Sequence, residues 1–129
     1  IIAQVIDDLG LWAAVMEVGL SFHVGNGGGR LSSAQRQKLG IARAILKRPD
    51  VLILNEATGS LDGAAQTAIL AGLKQEFDGR GLIWAVHRPS IASDFDRALV
   101  MKSGRVIEQG TFEELNREGA ALHDLGQAE

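Results

Sequence analysis

The apolar and polar positions divide the chain into a helical beginning and, after it, an alternation of helices and strands. In residues 1–18, Ile2, Val5, Ile6, Leu9, Ala13 and Met16 recur at three- and four-residue intervals. That is the period of one or two amphipathic helices, with Gly10 as a candidate break. The run "VGNGGGR" at 24–30 has four glycines in seven residues and predicts a loop. Ser32 and Ser33 follow as helix N-caps, and Gln35, three residues after Ser32, completes the sequence of a capping box. The helix this starts carries Leu39, Ala42, Ile45 and Leu46 on one face and basic residues on the other. Lys47 and Arg48 suit the negative end of its dipole, and Pro49 stops it.

Two apolar runs lack polar alternation, "VLIL" at 51–54 and "GLIWAV" at 81–86. Each predicts a strand of a parallel sheet buried on both faces. Between them a second helix, roughly 62–77, places Ala65, Ile69, Leu73 and Phe77 on one stripe. Beyond them, "RALVMKSGRVIEQG" reads as two strands around a Ser-Gly turn, and "TFEEL" as a threonine-capped acidic helix start. Strand, helix and strand in this order predict an α/β fold with a mostly parallel sheet and flanking helices.

Composition changes this picture little. With 129 residues, 46% hydrophobic and 22% charged, the chain has the size and make-up of one domain with a packed core. A formal charge of −3 lacks the basic excess of a nucleic-acid binder, so no nucleic-acid partner is expected. The sequence has no cysteine, which excludes disulfides, thiolate metal sites and cysteine nucleophiles. No apolar run approaches the ~18 residues of a membrane span. The opening "IIAQVIDDLG" has neither a basic leader nor a cleavage pattern, and its apolar residues are already in helical register. It reads as a cut into a longer pattern.

Three places carry candidate chemistry. The helix start at Ser32 offers free amides and a positive dipole end, which by itself reads first as a capped helix after a loop and second as a phosphate site. Glu56 directly follows the first apolar strand, with Asn55 before it. A carboxylate at the C-terminal end of a parallel strand lies where α/β proteins bind ligands and can polarise a water for attack on phosphorus, or it can simply face solvent. Asp62 suits either a site or the N-cap of the second helix. His87 closes the second apolar strand, at the same expected sheet edge as Glu56.

In this order the segments resemble the C-terminal part of the nucleotide-binding domain of ATP-binding cassette (ABC) transporters, of the exporter type. "LSSAQ" at 31–35 resembles the family's LSGGQ signature, "VLILNE" its Walker B strand, "GSLD" its D-loop, "AVHRPS" its H-loop and "SGRVIEQGTFEEL" its closing segment. The resemblance implies a partial P-loop NTPase fold, with residues 1–30 as the end of a helical subdomain plus a glycine-rich loop, and 31–129 as the C-terminal part of the ATPase core. It implies that two such domains sandwich ATP and Mg²⁺. Ser32, Ser33, Ala34 and Gln35 would meet the γ-phosphate of a nucleotide held by the partner, and Asn55 would stand at the Mg²⁺ position. Glu56 would polarise the attacking water, His87 would contact the γ-phosphate, and Asp62 would tie the two halves together. The partners implied are a second nucleotide-binding domain and a transmembrane domain, at the cytoplasmic face of a membrane.

The sequence departs from the family pattern in ways that bear on activity. No G-x-x-x-x-G-K-[ST] occurs, so the phosphate-cradling loop is missing. "SSA" stands for "SGG", and Asn55 stands for an aspartate. The chain alone is expected not to hydrolyse ATP and to bind it weakly or not at all. A naturally degenerate, non-catalytic partner module is an alternative reading. A DNA-repair or chromosome-type ATPase is another, disfavoured by the absence of coiled-coil segments and basic patches. The strand at 82–86 is also expected to expose an apolar edge through which the chain self-associates.

Overall fold

The computed structural model describes residues 1–127, so the last two positions of the expected 31–129 core lie outside the described residues. It forms two compact units, Ile1–Ala85 and the residues from Val86 onward.

The first unit begins with two short helices, α1 (Ile2–Asp8) and α2 (Trp12–Val18). Gly10, at φ +59°, makes the break between them. The apolar stripe is only partly used. Val5, Ile6 and Leu9 are buried, and so is Leu11 in the turn, whereas Ile2 and Met16 are exposed. The helix after the glycine loop, α3 (Ser33–Leu46), ends before Pro49 as its sequence requires. Its inward face is Ile41, Ala42 and Ile45. Leu39 and Leu46, expected on that face, are exposed because the helix is rotated so that Ile41 takes the central position.

Strand β1 (Val51–Asn55) pairs in parallel with β2 (Gly81–Ala85), Leu52 opposite Leu82 and Asn55 opposite Ala85. The crossover between them is α4 (Gly63–Glu76), capped by Asp62, whose Oδ1 accepts from the Ala65 amide at 2.7 Å. Gly81 is required by the pairing, since a Cβ there would lie 2.9 Å from Cγ2 of Val51. Arg80 braces the turn before it, donating to the Pro49 carbonyl and standing 4.4 Å from the Phe77 ring centroid.

The two strands are not buried on both faces. Leu52 and Leu54 enter a cluster with Val5, Leu9, Ile41, Ile45, Ile69 and Leu73, while Val51, Ile53 and Ile83 are exposed. The sequence is that of strands covered twice, but the described residues supply a core on one face only. Among the described residues β2 pairs with β1 alone.

The second unit is a hairpin with two short helices. Strands β3 (Ala98–Lys102) and β4 (Arg105–Gly110) pair antiparallel around Ser103-Gly104. Both turn residues have positive φ, +50° and +75°, as a type I′ turn demands. Helix α5 (Phe112–Leu115) starts with a reciprocal capping box between Thr111 and Glu114. Helix α6 (Ala121–Gly126) follows an alanine that has no side-chain acceptor to offer. Glu108 of β4 does the capping instead: Oε1 accepts from the Ala121 amide at 2.9 Å and Oε2 from Leu122 at 3.3 Å. This holds Leu122 against Val100 and Leu115, the core of the unit. Charge-assisted bonds of this kind each contribute about 1.5–3 kcal/mol. Glu108→Ala is therefore expected to raise amide exchange across 121–126 by tenfold or more (roughly, from that range). Glu108→Gln, which keeps one oxygen acceptor, should fall between the two. Equal exchange in all three proteins would show that the cap does not hold α6.

No helix among the described residues is long and apolar enough to cross a membrane.

Candidate functional site

The glycine loop folds onto itself before α3 begins. Residues Asn26–Gly28 form one 3-10 turn, the Arg30 amide returns to the Val24 carbonyl at 3.0 Å, and Leu31 donates to Gly28 at 2.9 Å. The stem of Arg36 lies across Gly28, where a Cβ would meet it at 3.2 Å. The Arg36 guanidinium donates to the Leu31 carbonyl and to Ser33 Oγ.

The capping box expected from Ser32 and Gln35 is present in both directions. Ser32 Oγ accepts from the Gln35 amide at 3.1 Å, and Gln35 Oε1 accepts from the Ser32 amide at 2.9 Å. The amides of Ser33 and Ala34 are the donors of the first turn that the box does not use. They point where the helix dipole favours an anion. The same bonds engage the Gln35 side chain within the helix.

At the other end of the unit's chemistry, β1 stops at Asn55 and Glu56 follows with φ +50°. This left-handed backbone is uncommon for a residue other than glycine. It is held from both sides: the Glu56 amide donates to the Ala85 carbonyl of β2 at 3.1 Å, and its carbonyl accepts from Gly59 at 3.2 Å. Residues 56–61 then turn tightly. Thr58 is buried, its carbonyl accepting from the buried Gln66 amide group at 2.8 Å and from the Leu61 amide at 2.9 Å. Asp62, beyond the turn, acts as the cap of α4. Because α3 leads into β1 through a short turn, its N-terminal half returns beside this loop. There the Ser60 amide donates to Gln37 Oε1 at 3.1 Å. Between α3 and the end of β1 lies an open groove of ≈ 290 Å³, lined by Gln37, Gly40, Ala44, Ile53 and Asn55 among others.

The first unit thus contains Ser32, Ser33, Ala34, Gln35, Asn55, Glu56 and Asp62. His87 lies two residues beyond β2, exposed, in the second unit.

Three comparisons bear on this arrangement. A sequence model described as "ABC transporter" matches residues 3–59. An ATP-dependent lipid A-core flippase of Burkholderia orbicola is 43% identical over 115 residues, 87% of this chain and 19% of its own length. The chain belongs to the ABC transporter family. A heterocyst differentiation ATP-binding protein, HepA, of Nostoc sp. is 38% identical over 119 residues, 87% of this chain and 20% of its own length. A solved bacterial Atm1-family ABC exporter with ATP bound matches 98% of this chain and 23% of its own, with TM-score 0.90 and 28% identity. The fold is accordingly a partial ABC ATPase fold. The chain spans about a fifth of the length of the curated ABC relatives it matches.

Two donor sets can be judged against the family's ligands. Mg²⁺ prefers octahedral oxygen coordination, with one or two carboxylates beside the phosphates. Here the end of β1 offers the amide of Asn55 and the single carboxylate of Glu56, and no group of three or more His, Asp or Glu among the described residues could hold a metal ion. These residues do not make a Mg²⁺ site on their own. For a nucleotide phosphate, the α3 start supplies two amides, a contact and not a cradle.

Gln37, Thr58 and Gln66 were not legible as site residues. Gln66 did leave a signal: it is a polar residue on the stripe 62, 66, 69, 73, and a buried polar side chain at such a position must find a partner. Gln37 leaves none, since a polar residue one turn into a helix is ordinary.

Proposed function

We propose that this chain is the part of an exporter-type ABC ATPase that meets, through the start of α3, a nucleotide held by a partner domain and supplies, through Glu56, the carboxylate for hydrolysis at its own domain's site. The observation that carries the reading is Glu56. It sits immediately after a parallel strand, with its backbone fixed in a left-handed conformation by hydrogen bonds to β2 and to its own turn. A backbone so held fixes where the side chain leaves the chain, at the end of a parallel strand, which is the placement a group polarising an attacking water needs.

The remaining roles follow the family pattern on matching positions. The amides of Ser33 and Ala34, at the start of α3, would receive a γ-phosphate from the opposite domain, with Ser32 and Gln35 shaping that turn. Asn55 would stand beside Mg²⁺ without contributing charge, His87 would contact the γ-phosphate, and Asp62 would join the two halves. In this reading residues 1–30 close a helical subdomain and 31–129 belong to the ATPase core. ATP and Mg²⁺ are the cofactors, a second nucleotide-binding domain and a transmembrane domain are the partners, and the cytoplasmic face of a membrane is the place of work. Bound Mg²⁺ would supply charge neutralisation at the β- and γ-phosphates. This chain's residues supply orientation and the base.

The neutral Asn55 favours a second reading, a partner module that binds and signals without hydrolysing. One titration separates the readings. The 129-residue chain should show no saturable Mg-ATP binding below millimolar. A longer polypeptide that adds a G-x-x-x-x-G-K-[ST] loop should bind in the micromolar range and release phosphate. Micromolar binding by the short chain would mean that the nucleotide has found another cradle, and the reading would fail. Tight binding by the longer polypeptide without phosphate release would favour the non-catalytic partner.

A further inference from the structure

A side chain of α3 reaches the loop that carries Glu56. Gln37 lies five residues past the Ser32 cap, on α3, and its Oε1 accepts the Ser60 amide at 3.1 Å across 23 residues of sequence. Ser60 belongs to the turn that begins at Glu56. The far side of the same turn is fixed to α4, where the buried Gln66 side chain donates to Thr58 at 2.8 Å and Asp62 caps the helix. The start of the turn is fixed to β2 through the Glu56 amide. The Ser60 amide ties the turn to α3.

We infer that Gln37 is a positioning residue that couples the placement of the α3 N-terminus to the placement of Glu56. The mechanics follow from rigidity. Helix α3 is 14 residues long and anchored by Ile41, Ala42 and Ile45, so a displacement at its first turn is transmitted as a small rigid movement of the whole helix. Gln37 is on the first turns, where such movement is largest. The turn 56–61 is tight and internally bonded, from Gly59 to Glu56 and from Leu61 to Thr58, so a pull on the Ser60 amide is passed to the backbone of Glu56 and not absorbed. Engagement of an anion at Ser33 and Ala34 would thereby set the angle at which the carboxylate is presented. The inference rests on the ATPase reading, because it assigns Gln37 no contact with nucleotide.

The test uses Gln37→Leu, which removes the acceptor, and Gln37→Glu, which retains an oxygen at the same reach. In the 129-residue chain, amide exchange at Ser60 should quicken roughly three- to tenfold in Gln37→Leu, the range of one exposed hydrogen bond, and stay near the original rate in Gln37→Glu. In the longer, loop-containing polypeptide, kcat for ATP hydrolysis should fall by a similar factor in Gln37→Leu with KM for ATP unchanged. Gln37→Glu should restore it to within about twofold. Unchanged exchange, unchanged kcat, or a loss shared between kcat and KM would each overturn the coupling. Glu56→Gln, run beside them, separates the two failures. If it abolishes hydrolysis while Gln37→Leu does nothing, only the coupling is wrong. If it too leaves hydrolysis intact, the assignment of Glu56 itself falls.

Discussion

Glu56→Gln in the longer ATPase is expected to lower kcat for ATP hydrolysis by about 10²–10⁴-fold, the usual contribution of a positioned general base. Binding of Mg-ATP should change little. The two side chains share shape and length, and both face the same φ of +50°, so the substitution alters proton affinity without altering the fold of the turn. The bonds that hold residue 56 are made by its backbone, to Ala85 and Gly59, and survive the change. Single-turnover phosphate release, measured with nucleotide binding on the same preparation, checks the prediction. A loss below tenfold would move the base elsewhere, and a loss of binding would show that Glu56 works by holding the nucleotide.

The second large effect lies in the core. Leu73 is 0% exposed, between Ile69 at 1% and Phe77 at 4% on the buried stripe of α4. Truncation there removes contacts on every side and leaves a cavity that the crossover helix cannot close. Leu73→Ala should cost about 2–5 kcal/mol in urea unfolding of the first unit. Leu46, at 39% exposure, provides the control, and Leu46→Ala should cost well under half as much. Equal losses at both positions would mean that the α4 stripe does not form the centre of the core.

That contrast also marks the limit of what patterning could say. The stripe 65, 69, 73, 77 and the Ser32–Gln35 box are local features, set by helical period and by a cap that needs only its own next turn. Both appear in the structure. The faces of α3, β1 and β2 are not local. Ile53 and Ile83 read as interior because their neighbours in sequence are apolar, but burial requires a second layer, and the described residues provide none on that side. Leu11 shows the converse, an apolar residue in a turn that is buried because α1 and α2 fold around it. Similarly, Glu56 was legible as a carboxylate after a strand, whereas its backbone angle and, in the turn that follows it, the bonds from Ser60 to Gln37 and from Gln66 to Thr58 belong to the tertiary structure. The same is true of Glu108, which caps a helix that starts 13 residues later.

The left-handed backbone at residue 56 also bears on how selection acts on this site. A non-glycine residue there costs roughly 1 kcal/mol that a glycine would not. A lineage freed from any use for the carboxylate would gain stability by replacing it, because drift toward comfort at a strained position is downhill. This chain departs from the family pattern at Ser33 and Ala34 in the signature and at Asn55 on the strand end, and it carries glutamate at a position where glycine would relieve the backbone. On the proposed reading, Glu56→Gly is therefore expected to gain stability and lose phosphate release together, the signature of a strained residue kept for its carboxylate.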